Sequence, residues 1–509
     1  MSNHSFSFSI VDTLNAFGID IPELEAITTK DLVNDTRLLK ADDVFCAVIG
    51  AELDGRTYIE QAIKQGASLV ISECLTQAEH GKVTTQRFGD HAAMVVNFFE
   101  LNAVLFSFAQ LYYQKPQKRL NVIGVTGTNG KTSTSQIIAK LLESCHKSSA
   151  VIGTTGAGKL DDLIALENTT PSATLLHQLL HRFICQNVSH VAMEVSSHAL
   201  AQKRITADLV DVAVFTNLTR DHLDYHQTMD NYAQAKLALF QGNDKQVAIV
   251  NGDDCYVQNW LEKGVFPKQT IVYGRSLGIS NNLMYVAASD IALHHSGVAF
   301  KLLTHLGNVD IESKLIGEFN IDNLLAAIAV LLSQEIELSE ISAAVKTVTP
   351  IIGRMESFSA DDMPTSIVDY AHTPDALINA LKACKEHCQG DVWVVFGCGG
   401  DRDKGKRSLM GQAAENNADH IVITNDNPRS EAPEAIVEDI LKGCKKPERA
   451  SIILNRAKAV VSTIKQAKAQ DIVLMAGKGH EDYVIVGNEK IAYNERAIVQ
   501  QQYSNGAIS

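Results

Sequence analysis

Short apolar runs alternate with amphipathic stretches along most of this chain of 509 residues. The clearest unit is "LNVIGVTGTNGKTSTSQIIAKLLESC", where an apolar run, a glycine-rich turn and an amphipathic stretch follow one another. This order predicts a buried strand, a loop and a helix. Further apolar runs such as "HVAMEV", "DVAVFTNL" and "KQVAIVN" are separated by helical stretches. The alternation predicts an α/β fold with mainly parallel sheets and helices on both faces.

The pattern changes twice along the chain. The first 100 residues mix strand-like runs ("DVFCAVIG", "ASLVISE") with helical pieces, which predicts a small α/β unit. Around "GVAFKLLTHLGNVDIESKLIG" strict alternation predicts antiparallel strands added to a central sheet. After "TVTPIIGRME" a second strand and helix series begins, resembling a dinucleotide-binding fold without GxGxxG. We therefore predict three domains, at 1–100, 101–350 and 351–509.

Charge and composition exclude some classes of protein. A net charge of −14 argues against a nucleic-acid partner, which requires clustered Lys and Arg. The N-terminus lacks the pattern of a signal peptide, and no run reaches the ~18 apolar residues of a membrane span. We expect a cytoplasmic protein. The nine cysteines are scattered, and for Cys384 and Cys388, four positions apart, a redox or metal role stays open beside idle thiols.

The segment "TGTNGKTS" lies between the predicted strand and helix, where free backbone N–H groups and the helix dipole can face an anion. Lys131 would reach the β and γ phosphates of a nucleotide, and the Thr132 hydroxyl would ligate Mg²⁺. The strict GxxxxGK[ST] pattern is not met, because Val125 occupies the position of the first glycine. A simple glycine turn is the alternative interpretation.

Acids and histidines follow two other predicted strands. Glu194, at the end of "HVAMEV", is placed to hold Mg²⁺, which prefers oxygen ligands shared with phosphates; a capping cluster is the alternative. "TRDHLDYH" supplies Asp221, His222, Asp224 and His226. The HxxxH spacing suggests a transition metal, yet HExxH is absent and a Mg²⁺ site suits an ATP enzyme better.

Three loops leave apolar strands in the last third of the chain: the glycine-rich "VFGCGGDRDKGKR" and "MAGKGHEDY", and the proline-containing "TNDNPRSEAP". Ligands bind at the carboxyl ends of the strands in open α/β sheets. Arginine suits a carboxylate and acids suit an ammonium, so these loops could surround a small zwitterion; solvated turns are the alternative. The side chains concerned are Arg402, Asp426, Asn427, Arg429, His480 and Glu481.

Together, "GTNGKTS", "ENTTP", "EVSSHAL", "TNLTRDHLDYH", "AKLALF", "GEFNIDNLLAA", "GRME", "DYAHTPDAL" and "GKGHEDY" resemble the motifs of the Mur ligases in order and spacing. The resemblance covers nearly the whole chain. It implies an ATP-dependent enzyme that forms an amide bond in the peptide stem of cell-wall precursors. It also implies an N-terminal domain that holds UDP, a central P-loop ATPase and a C-terminal Rossmann-like domain that presents the amino acid.

Matching motif positions imply two nucleotide sites. For the UDP substrate they are Asn34, Thr36, Ala51, Glu52, Leu53, Asn168, Thr169, Thr170, Ser196, Gln202 and Arg204. Thr36 stands where a serine is commoner, and its hydroxyl should preserve the contact. For ATP they are Gly127, Thr128, Asn129, Gly130, Lys131, Thr132, Ser133, Asn320, Asn323, Arg354 and Asp369.

The resemblance also implies a magnesium site with two Mg²⁺ ions. The matching metal ligands are Thr132, Glu194, His222 and Lys236, of which the last three join Lys131 as catalytic residues. By its own sequence context, Lys236 is predicted to lay its stem over the core of an amphipathic helix and to keep its ammonium in solvent. In the family the matching lysine is N-carbamoylated, and its CO₂ adduct provides a carboxylate-like ligand that an ammonium cannot provide.

"DNPR" is typical of family members that add meso-2,6-diaminopimelate to UDP-N-acetylmuramoyl-L-alanyl-D-glutamate, which implies these two substrates and ATP as small-molecule partners of a monomer. The implied amino-acid site is Arg402, Asp426, Asn427, Pro428, Arg429, Gly477 and Glu481. A lysine-adding ligase remains a near alternative. Folylpolyglutamate synthase, with GKGS where this chain has "GKTS", and a regulatory ATPase without ligase chemistry are more distant alternatives.

Overall fold

The computed structural model describes residues 8–50, 53–276, 284–294 and 297–505. In these ranges the strands form three large sheets and one hairpin, in the order of the chain. The predicted α/β class with mainly parallel sheets is confirmed. The domain boundaries at residues 100 and 350 remain a prediction.

The first sheet contains the described strands of the N-terminal part, in the order β1-β2-β3-β5-β4. Its strands are β1 (Leu32–Val33), β2 (Val44–Ala47), β3 (Leu69–Cys74), β4 (Val83–Phe88) and β5 (His91–Phe99). All pair in parallel except β4 with β5. The helices are α1 (Ile10–Asn15), α2 (Ile59–Lys64) and α3 (Leu101–Tyr112).

The central sheet has eleven described strands in the order β16-β15-β14-β13-β12-β11-β6-β10-β7-β8-β9. They are β6 (Asn121–Thr126), β7 (Ser149–Gly153), β8 (Gly156–Lys159), β9 (Asp162–Ile164), β10 (His190–Glu194), β11 (Val212–Phe215), β12 (Val247–Asn251), β13 (Thr270–Gly274), β14 (Met284–His294), β15 (Gly297–Thr304) and β16 (Gly307–Ser313). The predicted antiparallel strands are confirmed as β15 and β16. A further antiparallel pair, β8 and β9, extends the opposite edge.

Helices lie between the strands along the chain, and the longer ones pack on the sheet through apolar side chains. They are α4 (Lys131–Ser144), α5 (Ala173–Cys185), α6 (Ser197–Ala201), α7 (Leu223–His226), α8 (Met229–Leu237), α9 (Cys255–Glu262), α10 (Glu318–Ser333) and α11 (Leu338–Val345). Helices α4 and α10 share one core with the strands, and α10 is buried on nearly all sides. The first turn of α4 therefore has a rigid base.

The third sheet has the described order β17-β18-β22-β19-β20-β21, parallel except for β17. The strands are β17 (Glu356–Phe358), β18 (Thr365–Asp369), β19 (Val392–Phe396), β20 (His420–Ile423), β21 (Ala450–Ile452) and β22 (Ile472–Ala476), followed by the hairpin β23 (Tyr483–Val486) and β24 (Glu489–Ala492). The helices are α12 (Pro374–His387), α13 (Gly405–Asn417), α14 (Pro433–Leu441), α15 (Arg456–Gln466) and α16 (Glu495–Asn505). The three predicted ligand loops leave β22, β19 and β20, which are adjacent in this order in the sheet.

Candidate active site

One cleft of about 2420 Å³ separates the carboxyl ends of the central strands from those of the third sheet. Most of the predicted site residues line it: Thr128, Asn129, Gly130, Lys131, Thr132, Ser133, Asn168, Thr169, Thr170, Glu194, Ser196, Gln202, Arg204, His222, Lys236, Asn320, Asn323, Arg354, Asp369, Arg402, Asp426, Asn427, Arg429, Gly477 and Glu481. Gly127, Pro428, Asn34, Thr36 and Leu53 do not line it. Ala51 and Glu52 lie outside the described residues.

The predicted phosphate loop connects β6 to α4. Gly130 adopts φ +84° immediately before the helix, and a Cβ there would lie 2.6 Å from Asn323 Oδ1. The Lys131 ammonium donates to the carbonyl oxygens of Gly127 and Thr128, at 2.9 Å each. Lys131 thus lies at the helix N-terminus, where the dipole and free N–H groups favour a phosphate.

Glu194 ends β10, the strand beside β6, and its carboxylate meets the first turn of α4. Its Oε2 accepts from the Thr132 hydroxyl at 2.9 Å. Thr154, which follows β7, donates its N–H to Oε1 at 2.8 Å and its hydroxyl to Oε2 at 3.1 Å. Three neighbouring strands therefore place two hydroxyls and a carboxylate together, which is an oxygen-rich arrangement suited to Mg²⁺.

Lys236 lies on α8 and is 1% exposed, so its interpretation as a lysine that reaches solvent is wrong. Its ammonium donates to Gly127 O at 2.7 Å and lies 4.5 Å from the centre of the Tyr232 ring. Burial, and then the charge of Lys131, lowers the pKa of Lys236 well below its ordinary value. A neutral amine is the form that can take up CO₂.

His222 lies in the same cleft, with Nε2 3.4 Å from Asp221 Oδ2 and its ring 4.9 Å from that of His198. Desolvation lowers the pKa of His222 to about 4, so the imidazole is neutral near pH 7, as a metal ligand must be. Within the described ranges, no group of three or more His, Cys, Asp and Glu side chains could hold a metal by itself. A cation here would need further oxygen ligands, and the Thr132 hydroxyl is one that the structure offers.

Two predicted ATP residues, Arg354 and Asp369, reach the cleft from the third sheet. Arg354 lies just before β17, and Asp369 is the last residue of β18. Arg354 Nη2 donates to Thr132 Oγ1 at 3.2 Å, and its guanidinium lies 4.6 Å from the centre of the Tyr370 ring. Asp369, at the end of β18, accepts the N–H groups of Met355 and Ala371 at 2.7 and 2.8 Å. Asp369 therefore holds the backbone directly after Arg354 and directly after Tyr370.

The predicted adenine-side pair lies on the first turns of α10. Asn323 Nδ2 donates to Asn320 Oδ1 at 3.0 Å, and Asn323 Oδ1 accepts from the Thr134 hydroxyl at 3.1 Å. Asn320 Nδ2 is held by Ile316 O at 2.8 Å. The structure thus packs this pair directly against the phosphate loop.

The predicted UDP-substrate residues fall into two places. In the cleft, the Thr170 hydroxyl accepts from Ser196 N at 2.9 Å, and Arg204 Nη1 donates to Thr170 O. Asn34 and Thr36 lie in the N-terminal part, where Asn34 Oδ1 accepts from the Thr174 hydroxyl at 2.9 Å. The two sets are therefore connected through α5.

The three C-terminal loops meet at the opposite wall of the cleft. Asp426 is 8% and Asn427 is 7% exposed, and both follow β20. Arg429 adopts φ +50°, and its Nη1 donates to Gly400 O at 2.8 Å. The hairpin fixes this backbone, since Arg429 N donates to Ile485 O at 3.1 Å and Gly487 N to Arg429 O at 2.8 Å. Arg429 thus lines the cleft from a braced loop.

Two residues in contact with this site were missed by the sequence analysis. Thr154 carried no motif signal, because its contact with Glu194 arises only when β7 lies beside β10. Lys478 is the lysine of "GKGHEDY", and its side chain is 0% exposed among Asp426, Asn427 and Glu481. A lysine between two glycines directly after a buried strand was the available signal.

Two family models match this chain: the Mur ligase middle domain over residues 125–331 and the Mur ligase glutamate ligase domain over residues 353–479. The UDP-N-acetylmuramoyl-L-alanyl-D-glutamate--2,6-diaminopimelate ligase of Haemophilus influenzae (strain PittEE) is 42% identical over 480 residues, covering 94% of this chain and 97% of that protein. The chain belongs to the Mur ligase family. The predicted resemblance is therefore confirmed.

Solved structures of Mur ligases agree with the fold. A UDP-N-acetylmuramoyl-L-alanyl-D-glutamate--2,6-diaminopimelate ligase structure is 33% identical, with a TM-score of 0.65, over 94% of this chain and 95% of that one. MurF from Acinetobacter baumannii has a TM-score of 0.68 at 17% identity, over 98% of this chain and 100% of that one, and shows the fold alone.

Two other features of this Mur ligase bear on the earlier expectations. All nine cysteines are free thiols, and Cys384 is buried on α12. Among the described residues, none of the helices combines the length and apolar content that crossing a membrane requires.

Proposed function

We propose that this Mur ligase joins meso-2,6-diaminopimelate to the γ-carboxylate of D-glutamate in UDP-N-acetylmuramoyl-L-alanyl-D-glutamate, with ATP converted to ADP and Pi. The observation that carries the proposal is the single cleft, with Lys131 and Glu194 on one wall and Arg429 with Asp426 on the other. The relatives reported above act on the substrates that their names give, and 42% identity over 94% of the chain supports the same reaction here.

The proposed reaction has two steps. The γ-carboxylate takes the terminal phosphoryl group of ATP, giving an acyl phosphate and ADP. An amino group of diaminopimelate then attacks the acyl carbon, and the tetrahedral intermediate collapses to the amide and Pi. Because phosphoryl transfer depends on positioning and charge stabilisation, Lys131 and Arg354 would stabilise negative charge on the transferring group.

Mg²⁺ fits the residues present, because Thr132 and Glu194 offer oxygen ligands and His222 a neutral imidazole. Lys236, once N-carbamoylated by CO₂, would add a carboxylate-like ligand beside them. When bound, the two expected ions would neutralise phosphate charge. The chain itself holds Thr132, Glu194 and Thr154 together and shields Lys236 from solvent.

Arg429 favours diaminopimelate over L-lysine in this proposal. The two amino acids differ by a second carboxylate, and a guanidinium can receive it through two parallel hydrogen bonds. The "DNPR" backbone is braced by the hairpin, so Arg429 can select without large rearrangement. In a lysine-adding enzyme, the substrate would have no second carboxylate for this guanidinium to bind.

An omission assay tests the proposal. Pi release is measured with all three substrates and with the UDP-dipeptide, diaminopimelate or ATP left out in turn, and the product is identified by mass. Pi release that requires all three substrates is expected, with L-lysine a poor replacement. Pi release that requires neither the UDP-dipeptide nor diaminopimelate would indicate the regulatory ATPase, and equal use of L-lysine would indicate the lysine-adding ligase. We further propose a cytoplasmic monomer with the three domains at the predicted boundaries.

A further inference from the structure

A buried lysine lies at the centre of the proposed amino-acid site. Lys478 follows β22, and its side chain is 0% exposed. Its ammonium has four oxygen partners: Asn427 Oδ1 at 2.8 Å, Glu481 Oε2 at 2.9 Å, Tyr483 O at 3.0 Å and Asp426 Oδ1 at 3.1 Å. An ammonium has only three donors, so this group is fully used and does not face a substrate.

The contacts of Lys478 set the orientation of Asn427. Asn427 Oδ1 accepts from Lys478 and from Ile485 N at 2.9 Å, and its Nδ2 donates to Glu481 Oε2 at 3.2 Å. These partners define which end of the amide carries the oxygen. Because Asn427 lies two positions before Arg429, the same network ties the cation loop to the hairpin.

Charge balance gives Lys478 a second role. Asp426 and Glu481 are both within 3.1 Å of the same ammonium, so the two carboxylates share one small volume. With Lys478 between them their net charge is −1, which one substrate ammonium neutralises. Without Lys478 the pair would carry −2, and one substrate ammonium would leave a net charge of −1.

Lys478 contacts only one carboxylate oxygen of Asp426 and one of Glu481, which leaves the second oxygen of each carboxylate for a substrate ammonium. Glu481 Oε1 has a long contact of 3.3 Å with the Tyr370 hydroxyl, while Oε2 carries the bonds to Lys478 and Asn427. Asp426 Oδ2 lies toward Gly477, where a Cβ would approach it to 2.7 Å. Both residues line the cleft.

We infer that Lys478 is a positioning residue for the incoming amino acid: it orients Asn427 and neutralises one of the carboxylates Asp426 and Glu481, so that the site accepts a single ammonium beside Arg429. The inference rests on the proposed function and deepens it.

Steady-state kinetics on the full chain test the inference with Lys478→Met, which keeps an apolar stem and removes the ammonium. Lys465→Met, an exposed lysine on α15, is the matched control. We expect the KM for diaminopimelate to rise at least tenfold in Lys478→Met, with the KM values for ATP and the UDP-dipeptide changed less than twofold. The control should match the wild type in all three.

A second pair of variants applies if Lys478→Met does not fold, because that change leaves a buried carboxylate unpaired. Lys478→Met/Glu481→Gln removes both charges and is compared with Glu481→Gln alone. The added Lys478→Met change should raise the KM for diaminopimelate at least a further threefold, through Asn427.

The outcomes separate the two proposals. An unchanged KM for diaminopimelate in Lys478→Met overturns the positioning role. A lower kcat together with an equal rise in all three KM values and a lower thermal midpoint also overturns it. A wild-type enzyme that releases no Pi in response to diaminopimelate overturns the proposed function, and the inference with it.

Discussion

Arg354 donates a hydrogen bond from Nη2 to Oγ1 of Thr132 at 3.2 Å, across a separation of 222 positions in the chain. Thr132 lies in the first turn of α4, whereas Arg354 lies two positions before β17 of the third sheet. The contact connects the two walls of the cleft at the point where the terminal phosphate of ATP is proposed to lie.

Replacing Arg354 by Ala should lower kcat/KM for ATP by about 100-fold, the usual cost of removing one preorganised donor from a developing charge. Arg354→Lys keeps the charge but loses the planar fork, and should recover only part of the activity. Initial rates at varied ATP check this. Equal activity of the Ala variant and the wild type would show that Arg354 contributes nothing to ATP use.

Lys236→Ala should reduce kcat at least about 100-fold, because the proposed carbamate ligand is lost. A short carboxylic acid such as acetate should restore part of the rate by entering the space that the side chain left. Lys245→Ala, on an exposed lysine, serves as control and should be unaffected by acetate. Full activity of Lys236→Ala without added acid would remove the carbamate from the mechanism.

Arg429→Ala should lower kcat/KM for diaminopimelate about ten- to hundredfold, the range expected when hydrogen bonds to a charged group are lost. The residual rate with L-lysine should stay unchanged, since that amino acid has no second carboxylate. Arg449→Ala is the matched control, because Arg449 is exposed and lies directly before β21 of the same sheet. Equal losses with both amino acids would contradict a selective role for Arg429.

His177 should make the protein less stable in mild acid. It is 0% exposed on α5, its ring lies 4.7 Å from that of Phe106 on α3, and burial lowers its pKa to about 4. The unfolded chain binds a proton near pH 6.5 and the folded chain does not. The stabilisation of the fold by neutral, buried His177 is therefore fully present above pH 6.5. This stabilisation falls as the pH drops toward 4, by roughly 3 kcal/mol in total.

His177→Gln tests that prediction, because glutamine can still donate to Ala173 O, the 2.8 Å partner of His177 Nδ1. The difference in free energy of unfolding between variant and wild type is measured by urea titration from pH 8 to pH 4. The free energy of unfolding of the variant should rise relative to that of the wild type as the pH falls through this window. A difference independent of pH would refute the assignment.

Glu495→Ala should destabilise the C-terminal part by about 3–5 kcal/mol, because it leaves Arg456 buried without its counter-ion. Arg456 Nε and Nη2 reach the two Glu495 oxygens at 2.5 and 2.9 Å, and Nη2 also holds Ala476 O at 2.8 Å. That carbonyl ends β22, directly before the loop that carries Lys478.

The matched comparison for Glu495→Ala is the double variant Arg456→Met/Glu495→Leu, which removes both charges and should lose less stability. Fluorescence of Trp393, measured in a Trp260→Phe background, reports unfolding of the third sheet. Equal destabilisation in the single and double variants would show that the unpaired charge is not the cause.

Particular residues show which parts of the fold and of the site could be predicted from the sequence. "LNVIGVTGTNGKTSTSQIIAKLLESC" predicted β6, its loop and α4, because apolar periodicity and the glycine-rich turn are local signals. Antiparallel β15 and β16 followed from alternation for the same reason. The contact of Thr154 with Glu194 could not be predicted, since it depends on the lateral order β7-β10-β6, which strand patterns leave open.

The sequence by itself determined the strands, the loops after them and, through ordered motifs, the family. Only the tertiary structure decided which of these loops meet and which charges are buried. Lys236 illustrates the division: its helix predicted a lysine at the surface, yet it donates to Gly127 O, 109 positions away. Burial depends on the packing of distant segments, and a charge taken out of water acquires its chemistry from whatever those segments place beside it.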